Sequence, residues 1–413
     1  MEPEIEAPAH EGRPAGEDGP ASGVPFGHRP DLGERFQLDQ LLIGDNGLRM
    51  GWSVLIFLIL YRIFNLVLGS IVVGFYPAAG VVDFSPVTQF VAEAVPFVAL
   101  LGAAALVAVF DRRRIVEFNL AGPRRGANFL IGLGAGFAAL SALVAGLAAF
   151  GWLHFAPTAF AAATAAKFGA LWACTFLLVG CVEEGLFRCF LQSTLTRGIN
   201  FWWALGIVGA ACLDLLLRAH GQMGIFEFVW LEQLPPITGS GMWGVFAAAL
   251  LGLGPCLALH LTKARDAGFW QAAWVTSTLF GFLHTGNNGE NWIGIFAASA
   301  IGFVFCVSVW VTGSAWWAIG CHAAWDWAET YFYGTADSGY AAKGHFLTTH
   351  PSGAALWSGG ADGPEGSPLA LGAILLLLVF LLTVYGRGGS HEAQPAAQQA
   401  ELYREGSPGI TAR

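Results

Sequence analysis

The chain is organised around the stretch Gly180-Cys-Val-Glu183-Glu184-Gly-Leu-Phe-Arg188. Two adjacent carboxylates and an arginine lie here inside a run, residues 168–195, that is otherwise typical of a membrane span. A charge near the bilayer centre costs at least about 2.5 kcal/mol on insertion scales, so three charges close together need partners or a function. On a helix, Glu184 and Arg188 lie one turn apart and can pair, whereas Glu183 is turned about 100° away. The spacing therefore predicts one structural carboxylate and one that is available for chemistry.

The composition indicates a polytopic membrane protein. Of the 413 residues, 55% are hydrophobic and 12% are charged, whereas soluble domains carry about 25% charged residues. Much of the acid behind the net charge of −9 lies in the terminal tails, while arginine is concentrated in short loops. This distribution gives no indication of nucleic-acid binding. The seven cysteines lie in apolar runs without metal-ligand spacing and are interpreted as small buried residues.

The apolar runs predict an all-α, polytopic transmembrane helical bundle of about 8–10 spans. Residues 1–48 form a polar tail that is predicted to be disordered or interfacial, and residues 387–413 form a second disordered tail. Residues 49–386 are then the transmembrane domain. The loop 111–125 is the most basic short loop, so the positive-inside rule predicts that this loop and the N-terminus are cytoplasmic. We expect a multi-pass protein of a bacterial inner membrane.

Three more ionisable residues lie in or at the edge of apolar runs. His284 closes Phe280-Gly-Phe-Leu-His284, and His322 and Asp326 lie one helical turn apart in His322-Ala-Ala-Trp-Asp326. A carboxylate and an imidazole can share the proton of a water and make it a nucleophile. A second polar pair can stabilise the oxyanion that forms. Together with Glu183, these residues supply what the hydrolysis of an amide needs.

The three motifs resemble those of the CPBP intramembrane proteases, which include the CAAX prenyl endopeptidases and their bacterial, abortive-infection-like relatives. The stretch 183–188 is similar to the EExxxR motif, the stretch 280–284 to FxxxH, and the stretch 322–326 to HxxxN/D. The flanking segments 312–322 and 359–366 are also close to family sequence. The resemblance covers about residues 118–385, and three motifs in the right order on apolar helices are more specific than any one alone.

The resemblance implies a role for each candidate site residue. Glu183 would be the general base that activates water, with the help of His284. His322 and Asp326 would form the pair that stabilises the oxyanion. Glu184 and Arg188 would be a structural ion pair behind the catalytic group.

On this basis we expect an intramembrane endopeptidase that hydrolyses a peptide bond of a membrane-associated or lipidated protein or peptide within the bilayer. No cofactor is expected, and zinc held by Glu183, His284 and His322 is the alternative if a metal is present. The alternative function is a non-proteolytic membrane scaffold or immunity-type protein that uses the same polar cluster to bind a partner or lipid. A secondary transporter is disfavoured because the spans show no internal repeat.

The sequence departs from the family pattern in two places. Asp326 stands where the prenyl endopeptidases have Asn, and an ionised carboxylate would repel an oxyanion, so Asp326 must be protonated or must orient His322. The first two motifs are also unusually far apart, and residues 201–265 are interpreted as an insertion, of which 220–240 is expected to lie outside the active site. Asp214 and Arg218 repeat the acid–arginine spacing inside this insertion, so that spacing alone is not a catalytic signature.

The order of the spans raises a geometric question. If the spans alternate in direction, Glu183 falls nearer the cytoplasmic side and His284 nearer the opposite side. The two side chains can then meet only if their helices are long, broken or tilted.

Overall fold

The computed structural model describes most of the predicted transmembrane domain. The described residues are 42–44, 47–77, 84–156, 162–225, 239–287, 289–337, 339 and 341–386. The predicted tails, up to residue 41 and from residue 387 onward, and most of the polar segment 220–240 lie outside them.

Helices dominate the described residues. They are α1 (Met50–Phe75), α2 (Pro86–Phe110), α3 (Arg125–Ala149), α4 (Ala162–Leu195), α5 (Phe201–Ala219), α6 (Gly239–Thr262), α7 (Ala267–His284), α8 (Trp292–Thr312), α9 (Trp316–Asp326) and α10 (Pro368–Tyr385), with a single turn at Ala355–Ser358 before α10. Two short antiparallel strand pairs join β1 (Ile43–Gly44) to β2 (Gly47–Leu48) and β3 (Leu153–Ala156) to β4 (Thr348–Pro351). In the second pair, Leu153 lies opposite Pro351.

The fold is an all-α transmembrane bundle, as predicted. Among the described residues, seven helices are long and apolar enough to cross a membrane: α1 to α5, α8 and α10. Helices α7 and α9, whose apolar runs were also expected to be spans, are largely enclosed by other helices. An enclosed helix contacts protein rather than lipid, so α7 can bury polar side chains such as Gln271 and Ser277.

Helix α9, which carries His322, packs against α3 with its backbone in direct contact. A Cβ atom at Gly132 or Gly136 of α3 would collide with the carbonyl oxygen of Trp317 or Cys321, and one at Gly320 of α9 would collide with that of Phe129. Only glycine allows two helices to approach this closely. The glycine pattern of α3 therefore fixes the position of α9.

Two π-helical segments each begin directly after residues of a sequence motif. The first π segment, Gly185–Leu191, lies within α4 directly after the two glutamates, and the second π segment, Trp327–Tyr333, continues α9 directly after Asp326. A π turn is rare and is found mostly as a single turn inside an α-helix, frequently at a functional site.

Asp214 and Arg218 tie α5 to the end of α7. Arg218 Nη1 lies 3.7 Å from Asp214 Oδ2 and donates to Thr285 Oγ1 at 3.1 Å, and Arg218 Nη2 donates to the Thr285 carbonyl oxygen at 3.4 Å. Asp214 is fully buried and Arg218 nearly so. Because Thr285 directly follows His284, this part of the segment expected as an insertion supports the helix end that carries His284.

We expect Arg218→Ala to destabilise the protein by about 3–5 kcal/mol, because it removes the cation that pairs with the buried Asp214 carboxylate. Thermal melts of the purified protein in detergent measure the loss. Arg114→Ala is the matched control, since Arg114 is 57% exposed and pairs with Glu117 at 3.1 Å, and an exposed pair contributes about 1 kcal/mol or less. Equal effects of the two substitutions would contradict the interpretation.

Candidate active site

A cavity of about 430 Å³ lies among the helices that carry the three sequence motifs. All four side chains predicted to be catalytic line it: Glu183 on α4, His284 at the end of α7, and His322 and Asp326 on α9. Apolar side chains such as Phe280, Phe305 and Trp325 form much of the rest of its wall. The cavity is comparable in volume to small-molecule binding sites, which span about 300–1,000 Å³.

Glu184 and Arg188 form the predicted ion pair, and both side chains are fully buried. Arg188 Nη1 donates a hydrogen bond to Glu184 Oε1 at 3.3 Å, and Arg188 Nε lies 3.1 Å from Glu184 Oε2 as an ion-pair contact. The guanidinium carbon also lies 4.3 Å from the centre of the Phe280 ring, in the arrangement of a cation–π contact. Arg188 therefore connects the first motif to the second.

His322 is surrounded by carboxylates. Its Nδ1 lies 2.8 Å from Glu184 Oε1, while its Nε2 lies 3.4 Å from Asp326 Oδ2 and 3.8 Å from Glu183 Oε2. An ionised carboxylate can only accept a hydrogen bond, so the short contact requires that Nδ1 carries a proton and donates it to Glu184. Nε2 is then the nitrogen that lies beside Glu183 and Asp326. Glu184, predicted only as a partner of Arg188, thus also orients a candidate catalytic histidine.

The two adjacent glutamates differ in accessibility. The side chain of Glu183 is 35% exposed, whereas that of Glu184 is 0% exposed. Glu183 lines the cavity and Glu184 lies behind it. The structure therefore separates the two carboxylates in the way that the helical spacing predicts.

His284 lies at the C-terminal end of α7. Its Nδ1 lies 2.8 Å from the carbonyl oxygen of Phe280, one turn earlier, which can only accept a hydrogen bond. Nδ1 is therefore the protonated nitrogen, and Nε2 of the neutral ring retains its lone pair. The rings of Phe280 and His284 are 4.8 Å apart between centroids, which further restricts the imidazole.

The structure answers the geometric question raised by the order of the spans. Helix α4 has 34 residues, which corresponds to about 50 Å and exceeds the roughly 30 Å of a bilayer core. Helix α7 has 18 residues. Glu183, within the long α4, and His284, at the end of the shorter α7, thus both reach the same cavity.

Three cavity-lining acids were not predicted from the sequence: Glu93 on α2, Asp337 and Glu365. Glu93 is a single acid within the second apolar run, so the argument from the cost of an intramembrane charge could have found it. Asp337 and Glu365 lie in the polar region between α9 and α10, where acidic residues are ordinary in sequence.

Several buried acidic side chains lie in the loops between α7 and α8 and between α9 and α10. Burial raises the pKa of Glu290 to about 10, and the neighbouring carboxylates of Asp362 and Glu365 raise it as well. Burial, with Asp337 and Asp362 nearby, likewise raises the pKa of Glu365 to about 8. These carboxylates cannot all be charged together without a large electrostatic penalty.

Comparison with known proteins gives one family. Residues 256–328 match the family model described as Type II CAAX prenyl endopeptidase Rce1-like. This segment contains the second and third motifs, and it begins inside the region interpreted as an insertion. No curated protein and no solved structure matches the chain. Over this segment, the match supports the resemblance of the motifs to the CPBP family of CAAX-type proteases.

Proposed function

We propose that this protein is an intramembrane endopeptidase in which Glu183 and His284 activate a water molecule against a peptide bond. The observation that carries the proposal is that Glu183, His284, His322 and Asp326, from three separate motifs, line one cavity inside a transmembrane bundle. The family match supports protease chemistry at the level of the family. The assignment of individual steps rests on the geometry of these side chains.

In the first step, Glu183 accepts a proton from the water while the oxygen attacks the carbonyl carbon of the substrate. His284 assists with Nε2, because its Nδ1 is engaged by the Phe280 carbonyl oxygen. The new C–O bond gives a tetrahedral oxyanion. When the C–N bond breaks, Glu183 returns this proton to the nitrogen of the leaving amine.

The oxyanion is stabilised by His322 and Asp326. His322 has Nδ1 directed at Glu184, so a proton on Nε2 makes it a cation with an N–H donor beside Glu183 and Asp326. If Asp326 is protonated, the charges of the interacting group balance: Glu183 and Glu184 are negative, and Arg188 and His322 are positive. A neutral carboxyl can also donate a hydrogen bond to the oxyanion, as an amide would.

The apolar wall of the cavity limits the water around these groups, which strengthens each electrostatic contact. It also favours a substrate segment with apolar side chains, such as a stretch of a membrane-associated or lipidated protein or peptide.

The test is proteolysis of a peptide library by the purified protein in detergent or proteoliposomes. We expect cleavage by the wild type and none by Glu183→Ala, because the general base is lost. Glu117→Ala, which removes an exposed glutamate far from the motifs in sequence, is the control and should cleave normally. Absence of cleavage by the folded wild type across the library would favour the non-proteolytic alternative.

The two glutamates should respond differently to the same substitution. Glu184→Gln removes the charge that compensates buried Arg188 and should destabilise the fold by about 3 kcal/mol or more. Glu183→Gln should leave the melting temperature nearly unchanged and abolish turnover. Thermal melts alongside the cleavage assay decide, and equal destabilisation by both substitutions would contradict the division of roles.

Asp326→Asn tests how Asp326 acts. If protonated Asp326 donates to the oxyanion, activity falls with rising pH as the donor is lost. The Asn variant, which cannot ionise, should then keep or raise activity and flatten that alkaline fall. If Asp326 instead orients His322, the same substitution should lower activity by about 10²-fold or more at every pH. We expect the first result in a pH–rate profile, and a uniform loss would overturn it.

A further inference from the structure

Three carboxylates that the proposed mechanism does not use converge beside the cavity. They belong to Glu329 in the second π segment, to Asp337, and to Glu365 in the 3₁₀ turn Pro364–Gly366. One oxygen from each lies within 4.8 Å of one oxygen of each of the others. Trp325 Nε1 lies between two of them, 3.1 Å from Glu329 Oε2 and 2.7 Å from Glu365 Oε1.

A separate observation concerns the second oxygen of Glu329. The Glu329 side chain is 0% exposed, and its Oε1 has no hydrogen-bond partner among the described residues. A buried polar atom left without a partner is costly, by about 1–3 kcal/mol and more when it is charged. This oxygen belongs to one of the three converging carboxylates, so a cation bound through both oxygens of Glu329 would satisfy it.

Two of the three carboxylates, those of Glu329 and Glu365, form no salt bridge with a protein cation among the described residues. Buried carboxylates are ordinarily paired or bound to a metal.

We propose that Glu329, Asp337 and Glu365 bind a divalent cation, with Ca²⁺ as the preferred ion. The ligand atoms are all oxygens, which favours a hard cation. Ca²⁺ binds oxygen at about 2.3–2.6 Å, so two ligands of one ion can be up to about 5 Å apart, and the observed 4.8 Å lies within that reach. Mg²⁺, at about 2.0–2.1 Å, would require the three side chains to move closer together.

The site differs from the catalytic group in composition and in role. It contains none of Glu183, His284 and His322. The ion would instead link the second π segment to the region between α9 and α10, where Asp337 and Glu365 form part of the cavity wall. Its proposed effect is to hold that wall in place, and it takes no part in the activation of water.

The test uses Tb³⁺, a luminescent substitute for Ca²⁺, on the full chain purified in detergent after treatment with a chelator. Since the Trp325 indole contacts two of the proposed ligands, excitation of tryptophan should produce Tb³⁺ emission that Ca²⁺ displaces and Mg²⁺ displaces less well. Ca²⁺ alone should also raise the melting temperature of the wild type. Both readouts are independent of proteolytic activity, so they can fail while the proposed function stands.

Glu329→Gln and Glu365→Gln should each weaken Ca²⁺ competition by about 10-fold or more, because affinity depends on the number of charged ligands. Glu117→Gln removes one carboxylate from an exposed ion pair and should bind as the wild type does. Should Glu329→Gln fail to fold, Glu365→Gln and the wild-type measurements still decide. The absence of emission and of a Ca²⁺-dependent thermal shift in the wild type would overturn the proposal. Equal binding by all variants would overturn it too, because the ion would then be elsewhere.

Discussion

The buried ion pair between Glu184 and Arg188 is the interaction on which the site depends. Two charges inside a transmembrane bundle are tolerated only if they satisfy one another. Here Arg188 donates a hydrogen bond to Glu184, and each member makes a second contact: Arg188 lies over Phe280, and Glu184 accepts a hydrogen bond from His322. One ion pair therefore touches all three motifs. The Glu184–Arg188 ion pair therefore does two things. It compensates the buried charges, and it holds the candidate catalytic side chains in their arrangement.

Much of this could be predicted from residue spacing. The one-turn spacing on a helix predicted that Glu184 lies beside Arg188 and His322 beside Asp326. The rotation of one residue along the helix predicted that Glu183 points in a different direction. The contact between Glu184 and His322 could not be predicted in this way, because it joins residues 138 positions apart. Hydropathy identified apolar runs but not which helices are enclosed, so α7 and α9 were expected as spans. The cluster of Glu329, Asp337 and Glu365 was not predicted from the sequence for a related reason, since only the fold brings these residues together.

The region expected to be an insertion is part of the bundle where it is described. Helices α5 and α6 share a hydrophobic core with α7 that includes Val208, Cys256 and Val275. Arg218 adds a hydrogen bond to Thr285, the residue that follows His284. The family match also begins within this region, at residue 256. A segment can thus be unusual in sequence and still help to determine where a neighbouring motif lies.

The first π segment has a consequence for how the two ends of α4 face their surroundings. A π turn accommodates one additional residue, so the residues beyond it are rotated by about 100° from where an uninterrupted α-helix would place them. Glu183, before the segment, borders the cavity, while Leu195, after it, joins the core shared with α5 and α7. The continuous helix α4 thereby turns one face to the cavity before the π segment and a different face to the core after it. A helical wheel drawn through the whole of α4 would superimpose the face that lines the cavity on a face that packs in the core with α5 and α7.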